Sequence, residues 1–307
     1  LASAYSGSTV LSMALGSLPR ICAFGDTYYS PAHPSHRCSC GELFRECEFR
    51  QKMNDAMAKK GFPNFWDTAT PLPNNGANAH RLYFYLKRIL PRQYGVLNKT
   101  LRKLFFSGDS RTQFVRMQDA FFDVLETETG DDYYFDGCKS SSRAQLMHDC
   151  YPETKVLHLG RDPRGFMASC VKHSKEQTGI VPDMSFVDAR LSAWKKYNTL
   201  AAGYEKELSP GNYLRIQYAD LLSEPVAVLE KILSFIGPID DYSDLGAFDR
   251  ERVHISGNKT NLVSSRIEKR VLGDWRKFGD VIDFQYIERQ TSNLAFVQFE
   301  ADSAGRS

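Results

Sequence analysis

Apolar residues recur at Val10, Leu11, Ala14, Leu15 and Leu18. This spacing of three to four residues predicts a helix that opens directly behind the small and hydroxyl residues Ser3, Ser6, Gly7, Ser8 and Thr9. Pro19 closes it, and the short apolar run Ile21–Phe24 predicts a strand ending at Gly25-Asp26. Tyr28–Cys47 is rich in Pro, His and Cys and reads as a loop. Residues 51–125 read as mainly helical and irregular, broken by the turn-rich Pro71-Leu-Pro73-Asn-Asn-Gly76. From Tyr133 the pattern becomes regular. Strands expected at Tyr133–Asp136, Lys155–Leu159 and Tyr213–Gln217 alternate with helices from about Phe166 to His173, over Phe186–Glu207 and over Glu224–Ile236. Such alternation predicts an α/β fold with a central parallel sheet and a ligand site at the C-terminal ends of its strands.

Composition changes this picture little. The 307 residues, 42% hydrophobic and 25% charged, describe an ordinary globular chain, and a chain of this length buries roughly 75% of its unfolded surface. A net charge of +2 points to neither nucleic acid nor a membrane surface. No apolar run reaches the ~18 residues of a membrane span, and the expected compartment is the cytoplasm. The chain opens on Leu1 at the loop itself, so further residues are expected upstream, where a strand would lead into it. The oligomeric state is not legible. Seven cysteines, an odd number spread through the chain, do not form the framework of a disulfide-rich secreted domain.

Charge is segregated in one place. Arg81–Arg116 carries nine Lys/Arg and one acid, whereas Met117–Cys138 carries seven acids and no Lys or Arg. These blocks either form solvated faces that partly neutralise each other, or the first attracts an anionic ligand. The turn before the first helix is a natural anion site, because first-turn N–H groups and the positive end of the helix dipole converge there. The dipole alone contributes only ~0.3–1 kcal/mol, so a cation is needed elsewhere; the alternative is an ordinary Ser/Thr N-cap. Cys38, Cys40 and Cys47, with His36 nearby, are open to three readings: a small zinc site, a disulfide, or free packing cysteines. His158, on an apolar strand, reads as a satisfied core residue.

Four separated segments resemble the sulfotransferases that use 3′-phosphoadenosine 5′-phosphosulfate (PAPS). Ser6-Gly7-Ser8-Thr9 resembles the family's 5′-phosphosulfate loop. Leu157-His-Leu-Gly-Arg161-Asp162-Pro163-Arg164, with Ser169 eight residues beyond Arg161, is similar to its 3′-phosphate motif. Tyr213-Leu-Arg-Ile-Gln-Tyr218-Ala-Asp-Leu-Leu222, followed by Pro225 and Phe235-Ile-Gly237, resembles the block that ends in Phe-Leu-Gly. His254-Ile-Ser-Gly257-Asn258 and Asp274-Trp275-Arg276 resemble the C-terminal cofactor block of bacterial-type members. Asp136-Gly-Cys-Lys139-Ser140 and the Cys38-Ser-Cys40-Gly loop are similar to features of the same subgroup.

The resemblance implies a P-loop-NTPase-like sulfotransferase fold in a single domain over residues 1–307. Residues 27–125 would form a helical insertion on the acceptor side, and 300–307 a frayed tail. It implies transfer of a sulfuryl group from PAPS, leaving 3′-phosphoadenosine 5′-phosphate (PAP), to a hydroxyl or amine of a small-molecule or carbohydrate acceptor, with no metal required. Ser6, Gly7, Ser8 and Thr9 would hold the 5′-phosphosulfate, Arg161 and Ser169 the 3′-phosphate, and Tyr218, His254, Gly257 and Asn258 would lie near the nucleotide. Tyr5 stands where the family often has a cation, so Lys139 is expected to supply that charge. Lys139 also reads as a surface lysine in a Ser-rich turn. Asp26 is the expected general base, with a turn-capping Asp as the alternative; His33, His36 and His173 are further candidate bases. The rival functions are an inactive PAP/PAPS-binding relic and a nucleotide-dependent kinase. The G-x-x-x-x-G-K-[ST] signature of the kinase reading is absent.

Overall fold

A computed structural model describes residues 2–3, 5–25, 37–68, 109–137, 139, 141–237, 239, 244–255, 264–267 and 274–300. Two parallel strand pairs organise it. Strand β1 (Ile21–Gly25) pairs with β2 (Tyr133–Asp136) from Ile21↔Tyr133 to Gly25↔Asp136, with a register shift between Ala23 and Gly25. Strand β3 (Val156–Gly160) pairs with β4 (Tyr213–Gln217) in continuous register, and Ala2 adds a parallel bridge to Leu159. The chain therefore enters beside β3 before turning into helix α1 (Ser8–Gly16).

Strand alternation explains the layering. In β1, Ile21 joins the cluster built around α1, while Cys22 and Phe24 pack against Met53, Met57, Phe121 and Leu125. Those partners come from α2 (Glu48–Lys59) and α4 (Asp109–Thr129); the short α3 (Phe65–Thr68) adds Phe65. In β3 every residue is buried, as expected of a strand covered on both faces. The acidic α4 is matched by α2: Lys52 meets Glu128 at 2.7 Å and Lys60 meets Asp123 at 3.5 Å. Residues 81–108 of the basic block lie outside the described residues.

The remaining helices among the described residues are α5 (Ser141–Cys150), α6 (Pro163–Thr178), α7 (Met184–Glu207), α8 (Tyr218–Ser223), α9 (Pro225–Ile236) and α10 (Phe284–Thr291), with a 3-10 turn at Asp274–Phe278 before α10. Helix α6 is longer than its periodicity predicts. Asp162 caps it by accepting from Arg164 N, Pro163 sits at its first position, and Gly179 ends it at φ +71°. Helix α7 buries Val187, Leu191, Trp194, Asn198, Ala201 and Tyr204 at helical spacing. The one polar member, Asn198, has its side-chain oxygen 3.1 Å from His158 Nε2 and donates to the Trp194 carbonyl, while Tyr213 Oη meets His158 Nδ1 at 2.7 Å. His158 is thus a hydrogen-bonded core residue, and burial lowers its pKa to about 4.

Candidate functional site

The turn before α1 is held by contacts that the motif alone does not reveal. Gly7 occupies the N-cap position at φ +89°, with no side-chain cap and no acid in the first turn. A hydroxyl-capped helix is therefore not what the turn forms, and the helix end keeps its attraction for an anion. The Ser6 side chain points inward, its hydroxyl 2.5 Å from that of Ser3, with both residues buried. Ser8 and Thr9 are half-buried at the opening. Tyr5 adopts φ +57°, an uncommon conformation for an aromatic residue, and its ring packs beside Phe166 and His173. Tyr218 closes the turn from below: a Cβ on Gly7 would run into its ring.

The two arginines of Arg161-Asp162-Pro163-Arg164 have different surroundings. Arg164 is buried and saturated. It pairs with Asp162 at 2.6 Å and Glu288 at 2.7 Å, donates to the Glu300 carbonyl, and lies over the rings of Trp275 and Phe299. Asp162 also accepts from Glu300 N, so this ion pair fastens the start of α6 to the C-terminal segment. Arg161 instead reaches back to the turn. Its Nη1 donates to the Tyr5 carbonyl, its guanidinium lies 4.8 Å from the Tyr218 ring centre, and its buried Nε has no hydrogen-bond partner. Burial lowers its pKa, as expected of a cation held away from water. No carboxylate among the described residues forms an ion pair with it. Ser169 lies further along α6, and its hydroxyl donates to the Gly165 carbonyl.

The far ends of β1 and β2 meet closely. Gly137 packs so tightly that a Cβ there would lie 2.6 Å from the Gly25 carbonyl oxygen and 3.0 Å from Ser12 Oγ. Beyond this junction, Lys139 lines a small recess with Ser3, His158 and Tyr197. Asp136 accepts from the buried Arg143 at 2.6 Å, and Arg143 also donates to Gln118. The sequence does not single out this pair, which ties β2 to α5 behind Lys139. Asp26, Gly257 and Asn258 lie outside the described residues, as do His33 and His36.

His254 faces the cysteine loop. Its Nδ1 lies 3.3 Å from Cys47 Sγ and 3.8 Å from Cys38 Sγ, its Nε2 meets the Glu251 carbonyl at 3.0 Å, and its ring stacks on Phe49. The structure thus pairs this loop with a histidine more than two hundred residues away. No helix among the described residues is long and apolar enough to cross a membrane.

Comparison with known proteins identifies the family. Residues 4–241 match the sulfotransferase family model, and the chain belongs to that family. It is 22% identical over 219 residues to omega-hydroxy-beta-dihydromenaquinone-9 sulfotransferase Stf3 of Mycobacterium bovis, and equally to that of Mycobacterium tuberculosis. Each alignment covers 69% of this chain and 52% of the relative, so the chain spans about half the length of these curated proteins. Among solved structures, the sulfotransferase domain of the Synechococcus PCC 7002 olefin synthase aligns at 17% identity and TM-score 0.49, covering 93% of this chain and 88% of that one. The sulfotransferase domain of the curacin biosynthetic pathway aligns at 15% and 0.48, covering 97% and 96%.

Proposed function

We propose that this sulfotransferase takes its sulfuryl group from PAPS and delivers it to a hydroxyl or amine of a small-molecule or carbohydrate acceptor. The observation that carries the donor assignment is Arg161. A buried guanidinium with an unpartnered Nε, beside a glycine turn at a helix start, suits a ligand with two separated anionic groups. The donor supplies a sulfuryl group on a phosphate leaving group. Gly7, Ser8 and Thr9 bind its 5′ end through first-turn N–H groups and hydroxyls, with Ser6 bracing the turn against Ser3. Arg161 binds the 3′-phosphate, and Ser169 stands on the same helix. Tyr218 supports both by packing under the turn and under Arg161.

Lys139 follows β2 and holds positive charge at the bridging oxygen of the donor, the place where negative charge builds during in-line transfer. Asp26, the residue after β1, takes the acceptor proton as general base. Gly257 and Asn258 complete the nucleotide site. His254 has both ring nitrogens committed to the cysteine loop and the Glu251 carbonyl, and it enters no step. The name of the mycobacterial relatives, which specifies a hydroxylated quinone, supports a hydroxyl acceptor.

Ligand-dependent unfolding tests the reading. PAP at 100 times its Kd should stabilise the chain by ~2.7 kcal/mol, whereas ATP should stabilise it far less. Transfer of labelled sulfate from PAPS across an acceptor panel then separates enzyme from relic: binding of PAP without transfer to any acceptor would favour the relic, a reading that rests on Tyr5 in the usual cation position. Equal stabilisation by ATP would remove the PAPS assignment.

A further inference from the structure

The loop Arg37–Cys47 carries three cysteines that the transfer reaction does not use. Cys38 and Cys47 are buried and Cys40 is exposed, and all three are free thiols. Their sulfur atoms and one His254 ring nitrogen all lie within 4.8 Å of one another. Tetrahedral zinc, with bonds of ~2.3 Å to sulfur and ~2.0 Å to nitrogen, sets its ligand atoms roughly 3.5–3.8 Å apart. The distances from His254 Nδ1 to Cys47 Sγ (3.3 Å) and Cys38 Sγ (3.8 Å) fall close to that spacing before any ion draws the groups together.

The surroundings match a metal centre in three further respects. His254 Nε2 lies 3.0 Å from the Glu251 carbonyl, which fixes the proton on Nε2 and turns the Nδ1 lone pair toward the sulfurs. The loop is shaped by short-range bonds: Cys38 N donates to the Glu42 carbonyl, Gly41 N donates to the Cys38 carbonyl, and Gly41 takes φ +100°. It is anchored to the far segment as well, because Ser39 N donates to the Ile255 carbonyl and Ile255 N donates to Ser39 Oγ.

The third respect is charge. Arg50 is 3% exposed and sits between the Phe44 and Trp66 rings, 3.5 Å and 4.8 Å from their centres. It donates to the His254 carbonyl, its Nε has no hydrogen-bond partner, and no carboxylate among the described residues pairs with it. A buried cation without a counter-charge is strongly unfavourable. A divalent ion held by three thiolates is a net anionic centre, and it lies beside this guanidinium.

We propose that Cys38, Cys40, Cys47 and His254 bind one structural zinc ion, which fastens the 37–47 loop to the segment 249–255. The site is closed, with four protein ligands, so its role is to hold the fold rather than to activate water. It stands independently of the sulfuryl donor. A disulfide would engage two of the three sulfurs and leave at most one thiolate to face Arg50.

Metal analysis of the full chain, purified without a chelating affinity tag and dialysed against metal-free buffer, should find one zinc per chain. Exchange with cobalt(II) should produce thiolate-to-metal charge transfer and the visible bands of tetrahedral cobalt. Cys40→Ser alters the one exposed ligand; it should stay folded and lose zinc to a competing chelator at least about tenfold more readily. Cys150→Ser, outside the cluster, should keep wild-type zinc. Two results would overturn the site: a folded chain free of zinc that shows no tetrahedral cobalt spectrum, with its thiols alkylatable or joined in a disulfide by non-reducing mass spectrometry; or a Cys40→Ser variant that retains zinc as tightly as the wild type.

Discussion

The Tyr218 ring lies directly against Gly7, and the same ring sits 4.8 Å from the Arg161 guanidinium. One aromatic side chain, at the junction of β4 and α8, therefore supports both the turn before α1 and Arg161. The turn takes its shape partly from a residue 211 positions away in sequence. Gly7→Ala would add a methyl group into that ring and force a left-handed backbone on alanine. It should lower stability by ~2 kcal/mol and abolish PAP binding. Denaturant unfolding that finds the Gly7→Ala variant as stable as wild type would show that the contact is not tight.

The two arginines of the same motif should fail differently. Arg164→Ala leaves the buried Asp162 without its partner and should cost ~3–5 kcal/mol. Arg161→Ala removes a buried cation that forms no ion pair among the described residues and has an unpartnered Nε, so stability should fall far less than for Arg164→Ala while PAP affinity falls by at least about tenfold, ~1.4 kcal/mol. Calorimetric titration with PAP alongside thermal unfolding checks both. Similar losses of stability in the two variants would contradict the division of labour.

Lys139 is expected to act on the transfer step rather than on nucleotide binding. Lys139→Ala should reduce turnover at saturating PAPS by more than about tenfold, or ~1.4 kcal/mol in the barrier, with PAP affinity changed much less. A loss confined to PAPS KM would make Lys139 a binding residue only.

Buried His158 gives a pH signature in stability. Its folded pKa of about 4, lowered by burial, is below the ~6.5 of an unperturbed histidine. Between these values the unfolded chain takes up a proton that the folded chain excludes. The associated stability is complete above about pH 6.5 and is lost as pH falls toward 4, by roughly 3 kcal/mol in all. His158→Gln keeps hydrogen-bonding capacity without the titration and should flatten the unfolding free energy across that window. A slope equal to wild type would place the acid sensitivity elsewhere.

Three strands and two long helices after Tyr133 follow from the chain's periodicity, whereas helices α5, α8 and α10 do not. Tyr213–Gln217 is a strand at the predicted residues, and Phe186–Glu207 lies within the helix Met184–Glu207. Helix α6 escapes part of that signal because its first turns, Pro163–Ala168, are buried on all sides, the charged Arg164 included, and show no exposed face. Of the acidic block, Glu128 meets Lys52 of α2 and Asp123 meets Lys60 just beyond that helix, while residues 81–108 of the basic block lie outside the described residues.

Sequence by itself determined the alternating α/β order, the glycine turn at the head of α1, and the set of chemically capable residues. These depend on the spacing of side chains within a few turns or a single strand, a local property of the chain. Tertiary structure alone decided which arginine became a clamp and which kept an unpartnered donor. It also decided that Tyr218 would sit under Gly7, and that the distant His254 would face Cys38 and Cys47. Those pairings span more than a hundred residues. They are fixed by how the strands and their covering helices bury apolar surface together, which no local pattern encodes.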